Sequence, residues 1–403
     1  MTDWPRVPED SDFPTSSLPY GVVRPAGGAA RAGVAIGDHV IDLAATQAGG
    51  LLDGVGLPPG VFASASLNGF LALGPQTWQR TRAALRQLLD RPEAPPLLER
   101  GAVDALIPFD VADYVDFYAS EQHATNMGRM LRPDGPALPA AWKHLPIGYH
   151  GRSATIVASG SPIPRPAGLI PGADGLPRLA PTACLDIEVE VGFVIGVGNA
   201  RGSPIAAADA GEHVFGVVLV NDWSARDIQG FEAQPLGPFL GKSFATSISP
   251  WVVPLEALAP FRVDGPVQDP TPDPYLHVAE PRGLDLHLEL SINGSVVSTP
   301  EAAGLYWSMA QQLAHLTVNG AATRTGDLFA TGTVSGPTPD SFGSLMELTW
   351  RGSRPLTLAD GTTRTWLEDG DRATIRGWCG GGPGQPRLGF GEVTGTIQPT
   401  ALR

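Results

Sequence analysis

One stretch limits the fold more than any other: Leu185 to Gly196, LDIEVEVGFVIG. Ile187, Val189 and Val191 fall on one face and Asp186, Glu188 and Glu190 on the other, the period of two that marks a β-strand with its branched residues turned to a core. Glu188 and Glu190 then project the same way, their Cα atoms roughly 6.6 Å apart over two rises of the pleat. Neighbouring carboxylates repel and raise each other's pKa unless a cation lies between them. For a lone E-x-E the simplest reading is a solvated acidic face. Here the run passes straight into apolar GFVIG, which predicts a central strand. A central strand carrying acids calls for a metal.

The 403 residues suffice for one large core and a smaller one, so two domains are expected. A formal net charge of −14 argues against nucleic acid as a partner, because phosphate binding needs a basic surface. Cys184 and Cys379 form no C-x-x-C pair and suit a reducing cytoplasm. The opening MTDWPRVPED lacks the basic and apolar regions of a signal peptide, and no run approaches the ~18 apolar residues of a membrane span. With 50 glycines and 40 prolines, the chain is expected to be turn-rich and mainly β (α+β).

In the first part of the chain, Gly37-Asp38 sits between Val34–Ile36 and His39–Ile41 as a hairpin turn, and a helix is expected from Pro75 to Asp90. His39 reads as a hairpin residue. Asp113 to Gly128 then gathers Asp116, Tyr118, Glu121, His123 and Asn126. If Ser120 caps a helix, His123 is its third residue, near amides that favour a neutral imidazole; the plainer alternative is a structural histidine. A second buried strand, Val214 to Val220, leads to Asp222 at its end. Ser224 and Asp227 have capping-box character, which starts a helical turn and sets Arg226 and Gln229 on one face.

Two nucleotide motifs fail. GPFLGKS around Lys242 has Leu236 where a Walker A begins with glycine, and Pro238 removes an amide. Gly196 to Gly202 has Arg201 in place of the third dinucleotide glycine. A decoy follows: Asp285, His287 and Glu289 alternate with leucines, but Asn293-Gly294 signals a type I′ hairpin, so these three are assigned to a wet face. A helix is expected over Tyr306–Leu316, ended by Asn319-Gly320. SLMELTW reads as alternating, with Met346, Leu348 and Trp350 on one face and Glu347 facing solvent.

The strings DFYASEQHATNMG, LPIGYHGR, LDIEVE, NDWSARDIQ, PLGPFLGKSF, RTGDLFATGT and SFGSLMEL, in this order, resemble the fumarylacetoacetate hydrolase family over nearly the whole chain. The E-x-E with a strand-end Asp marks the wider superfamily; the block from Asp116 to Asn126 favours the fumarylacetoacetase branch. The resemblance implies a mixed β-roll/β-sandwich catalytic domain at 113–403 and a small SH3-like β-barrel at 1–112, in a cytoplasmic homodimer. It implies that Asp116, Glu188, Glu190 and Asp222 bind one divalent cation, Mg²⁺ or Ca²⁺, with Lys242 and Thr246 beside it. It makes His123 the general base oriented by Glu347, and Arg226, Gln229 and Lys242 the oxyanion donors. Tyr118, Arg132, Tyr149 and Thr333 would grip a small diketo-acid substrate.

The implied reaction is hydrolysis of the C–C bond of 4-fumarylacetoacetate to fumarate and acetoacetate, the last step of tyrosine and phenylalanine catabolism. The sequence departs from the family at Ala233, where a second substrate-side tyrosine is expected, and at Glu121, where a basic residue is common. Acylpyruvate hydrolases, decarboxylases and hydratases of the same superfamily are the nearest alternatives. A non-catalytic calcium-binding β-roll is the alternative from another class; His123, Lys242 and Arg226 speak against it, since a purely structural cation site does not want cations beside it.

Overall fold

The computed structural model describes residues 7–8, 11–92, 94–172, 174–382 and 387–402; most of the acidic N-terminal segment lies outside them. The fold is mixed, with more strand than helix. At its centre the acidic strand, Val189–Ile195, lies antiparallel to the companion strand Val214–Asp222 and to Leu328–Ala330. Tyr114–Phe117 then pairs in parallel with Leu328–Ala330 and brings Asp116 opposite Ala330.

Both faces of this sheet are covered, which is why its strands read as nearly continuous hydrophobic runs. Val189, Val191, Val217 and Leu219 face a core shared with Leu288, Leu290, Ile375 and Val393. Those partners come from a five-stranded sheet that includes His287–Ile292, Arg372–Gly380 and Arg387–Gln398. Val194, Val218 and Val220 face the opposite way, onto Tyr20, Val22, Phe70 and Leu85. The N-terminal strands join the same sheet, because Tyr20–Pro25 pairs with Trp251–Pro254, which pairs in turn with the companion strand. Through that pairing the N-terminal strands are continuous with a 13-stranded sheet.

Local signals place several elements where the sequence puts them. Gly37 (φ 54°) turns the chain between Arg31–Ile36 and His39–Asp42, and Pro75 opens the helix Pro75–Leu89. Asn293 and Gly294, both at positive φ, close the hairpin of His287–Ile292 and Ser295–Ser298.

Four expectations need correction. The stretch from Leu185 is two strands, because the side chain of Asn221 takes the Glu188 amide (3.2 Å) that a ladder partner would otherwise hold. Ser224 caps nothing: Ser224–Ala225 pairs with Leu185–Asp186, and the helix Arg226–Glu232 begins after Ala225. Asp227 instead accepts from Thr182 and from the Ala183 amide. The helix expected over Tyr306–Leu316 runs Met309–Thr317, since Ser308 and Gln311 form its capping box. SLMELTW holds a helical turn, Leu345–Leu348, capped by Ser344, and Glu347 is buried in it.

Candidate metal centre and active site

Glu190 of the acidic strand pairs with Val220 of the companion strand, and Asp222, two residues further along at that strand's end, shares the face of the Glu190 carboxylate. Asp116 arrives from Tyr114–Phe117, and Glu188 precedes the acidic strand. Ligand oxygens of Asp116, Glu188, Glu190 and Asp222 all lie within 4.8 Å of one another, and all four residues are buried. Lys242, in the turn Leu240–Lys242, donates to Glu188 and to Asp222 Oδ2 (2.7 Å). The would-be Walker lysine is thus held by carboxylates. Thr246 donates to Asp222 Oδ1 (2.8 Å), and the Tyr149 hydroxyl to Asp222 Oδ2 (3.2 Å).

The four acids are not equivalent. Burial alone would raise Glu188, but Arg226 and Lys242 outweigh it and hold this carboxyl well below the usual range. Burial pushes Glu190 well up, and repulsion from Asp116, Glu188 and Asp222 adds to it. Asp116 is raised in the same way, by burial and then by Asp222. Both Glu190 oxygens and Asp116 Oδ1 are buried without a hydrogen-bond partner. Orphaned carboxylate oxygens are costly, and a hard divalent cation with oxygen ligands is the group that satisfies them. The residues fit such an ion.

Beside the acids lies a second constellation. Ser120 caps the helix Glu121–Leu131 by accepting from the His123 amide, so the imidazole sits in the first turn. Its Nδ1 meets Glu347 Oε2 at 2.7 Å, and Nε2 lies 4.0 Å from Glu188 Oε1. Glu347 also accepts from Asn126 Nδ2 (3.0 Å) and from the hydroxyls of Ser335 and Ser344 (each 2.9 Å). Burial would raise Glu347, but His123 and these donors together hold it below the usual glutamate value. Gly128 lets this helix approach its surroundings, since a Cβ there would fall 1.7 Å from the Ala137 carbonyl oxygen.

Arg226 joins the two groups. Its Nη2 donates to Glu188 Oε1 (2.6 Å), Nη1 to Gln229 Oε1 (3.1 Å) and Nε to Asp186 Oδ2 (2.7 Å). Tyr118 stands edge-on to the His123 ring, with centroids 5.4 Å apart. Thr333 follows Leu328–Ala330 and carries a buried, unpartnered hydroxyl. Arg132 stays exposed and donates to the Ala137 carbonyl (3.0 Å), off the acid cluster. Glu121 pairs with Lys143 (2.5 Å), and Ala233 ends the Arg226–Glu232 helix. A cavity of about 170 Å³ beside Lys242 and Tyr149 is also lined by His150, Arg152, Pro238 and Phe239.

Asp285, His287 and Glu289 take no part. His287 stands 3.5 Å from Asp285 and 3.4 Å from Glu301 on the partly exposed side of the hairpin. Sequence reasoning passed over Asp186, Ser335 and Ser344. For Ser344 a signal was present: Ser344-x-x-Glu347 has the spacing of a helix start. Ser335 had none, because only tertiary folding brings it to Glu347.

Two family profiles cover nearly the whole chain. One described as fumarylacetoacetase N-terminal matches residues 16–113, and one described as fumarylacetoacetate (FAA) hydrolase C-terminal matches residues 113–398. The human fumarylacetoacetase is 45% identical over 98% of each chain. That of Arabidopsis thaliana is 46% identical, over 98% of this chain and 97% of its own. Among solved structures, a fumarylacetoacetate hydrolase from Exiguobacterium antarcticum superposes with a TM-score of 0.56 at 18% identity, covering 95% of this chain and 100% of its own. A maleylpyruvate hydrolase from Sphingobium gives 0.51 at 16%, covering 94% and 99%. At such identities these two speak for the fold alone.

Proposed function

The chain belongs to the fumarylacetoacetase family, and from that premise and the geometry of the site we propose how it works. It is a hydrolase acting on a carbon–carbon bond, and it cleaves fumarylacetoacetate to fumarate and acetoacetate. The observation that carries the mechanism is the His123–Glu347 pair set 4.0 Å from a cluster of four buried acids.

Glu347 accepts a hydrogen bond from Nδ1–H of His123, which leaves the Nε2 lone pair to accept a proton from water. The water oxygen adds to the ketone next to the alkene, and Glu347 stabilises the imidazolium that results. Arg226 spends three of its five N–H bonds on Asp186, Gln229 and Glu188, so two remain for the alkoxide. Lys242 spends two of three and has one left. Donors fixed in advance are worth several kcal/mol to a developing oxyanion, on the order of 3 kcal/mol for one. Collapse then breaks the C–C bond, yields the carboxylic acid and leaves its electron pair on the other fragment, which takes a proton. A divalent cation held by Asp116, Glu188, Glu190 and Asp222 would polarise the diketone oxygens and stabilise that departing fragment as an enolate.

Within the same reading, Tyr118, Tyr149, Thr333 and, on closure of the site, Arg132 contact substrate. The ion is Mg²⁺ or Ca²⁺, and the enzyme works as a cytoplasmic homodimer in tyrosine and phenylalanine breakdown. Residues 1–112 make the SH3-like domain and 113–403 the catalytic β-roll. Among the described residues no helix is long and apolar enough to cross a membrane. Arg226 and Lys242 against the acids favour catalysis over a purely structural cation site. The test is loss of the diketone's ultraviolet absorbance in the presence of protein and Mg²⁺ or Ca²⁺, with products identified. Fumarate and acetoacetate in equal amounts are expected; other products or no turnover would overturn the reading.

A further inference from the structure

Asp186 is fully buried, and its carboxylate touches no member of the acid cluster through its own oxygens. Oδ2 accepts from Arg226 Nε (2.7 Å) and from the Met346 amide (3.2 Å). Oδ1 accepts from the Leu345 amide (2.7 Å) and from its own neighbour Ile187 (2.8 Å). Two of these donors open the short helix that carries Glu347; another is the guanidinium that serves the oxyanion. The backbone of Asp186 is fixed too, paired with Ser224 just ahead of Arg226.

One carboxylate therefore spans both halves of the machinery, Gln229 and Arg226 on one side, Glu347 and His123 on the other. A four-residue helix has little stability of its own, so its placement depends on what its free amides find. A water-filled cleft would let the two halves drift; a charged acceptor holding a donor from each does not.

We propose that Asp186 is a positioning residue that sets the oxyanion donor Arg226 in register with the Glu347–His123 pair; this rests on the hydrolase reading above. Asp186→Asn keeps the size of the side chain but aims an amide's hydrogens at groups that also donate. The imidazole then loses its fixed approach, and misplacement by an ångström costs about a hundredfold in rate.

The first readout is the far-downfield Nδ1 proton of His123, followed by NMR in metal-free protein labelled on histidine, so it does not depend on turnover. In Asp186→Asn this resonance should shift or broaden, although residue 186 does not touch His123. Turnover should fall about a hundredfold with KM within roughly threefold, and the rise in Tm on adding Mg²⁺ should persist.

A second pair of variants leaves Asp186 alone and decides the matter if Asp186→Asn fails to fold. Leu345 is the first residue of its helix, where proline is accommodated, and Ser344 before it is extended (φ −140°, ψ 152°), as a residue preceding proline must be. Leu345→Pro removes the amide that Oδ1 accepts, while Leu345→Ala removes only the side chain. Leu345→Pro should lose turnover well beyond Leu345→Ala and move the His123 resonance. An unmoved resonance with wild-type turnover in Asp186→Asn, or equal losses in the two Leu345 variants, would overturn the proposal. If the unmodified chain fails to cleave the diketone, the hydrolase reading falls instead, and the resonance still reports whether the link exists.

Discussion

Glu188 and Glu190 alternate with valines much as Asp285, His287 and Glu289 alternate with leucines, yet the structure treats the two patterns in opposite ways. On the acidic strand both sides are covered, and Glu190 has no accessible surface. Its oxygens find no donor. On the hairpin the apolar side, Leu286, Leu288 and Leu290, is buried against the central sheet, while His287 keeps about a third of its side chain in water between Asp285 and Glu301. The difference lies in what packs across the second face, which alternation alone does not encode. A carboxylate in water costs nothing, whereas one buried without a partner must be neutralised or bound.

This contrast breaks if variants of the two regions behave alike. The largest effect is expected at His123. His123→Ala should lower turnover by ~10² to 10⁴-fold, the range for a positioned base, while keeping the metal-induced rise in Tm and the binding of a non-hydrolysable diketo acid. Loss of the rise would make His123 a ligand; normal turnover would make it structural. Glu347→Gln removes the orienting partner and leaves the base, so a smaller loss is expected, on the order of 10 to 100-fold.

The hairpin should answer in stability and not in rate. Asp371 accepts Arg364 Nε (2.8 Å) and Nη2 (2.9 Å) and also Asn293 Nδ2 (2.8 Å) at the hairpin turn. Burial would raise its carboxyl, but these partners hold it below the usual value. A depressed carboxyl stabilises the fold above the unfolded aspartate's pKa, about 3.9, and that stabilisation is lost as pH falls through the folded value. Asp371→Asn should therefore cost roughly 1–3 kcal/mol at neutral pH, measured by denaturant melts, with turnover unchanged; the gap from the parent should close in acid. The smallest effect belongs to the combined replacement Asp285→Asn, His287→Ala, Glu289→Gln. Turnover should stay within about twofold of the parent; a loss near a hundredfold, equivalent to roughly 2.7 kcal/mol of barrier, would place chemistry on this strand.

How much was legible follows the range of each signal. The capping of the His123 helix by Ser120, the Pro75 start and the Asn293-Gly294 turn are local, and the sequence shows them directly. The strand carrying Glu190, with Glu188 just ahead of it, was readable from its period. Glu347 was not, because Met346, Leu348 and Trp350 mimic alternation over a stretch too short to separate strand from helical turn. Only the resemblance supplied its role. Asp186 was visible merely as a third acid in a row; the donors that tie it to the site lie at Arg226 and at residues 345–346, some 40 and 160 positions away. Ser224 misled because a capping pattern is equally at home in a strand whose neighbour, Leu185–Asp186, lies far off in sequence.

The central claim is that four buried acids, two of them with orphaned oxygens, form the seat of a divalent cation. The most direct measurement is the Tm of the chelated protein as Mg²⁺ or Ca²⁺ is returned, for the parent chain and for Glu190→Gln. Mutual repulsion makes the empty cluster costly, and an ion that binds only the folded state raises Tm with its concentration. A clear rise in the parent and most of it gone in Glu190→Gln is the result the account predicts. A folded parent whose Tm neither ion moves would contradict it.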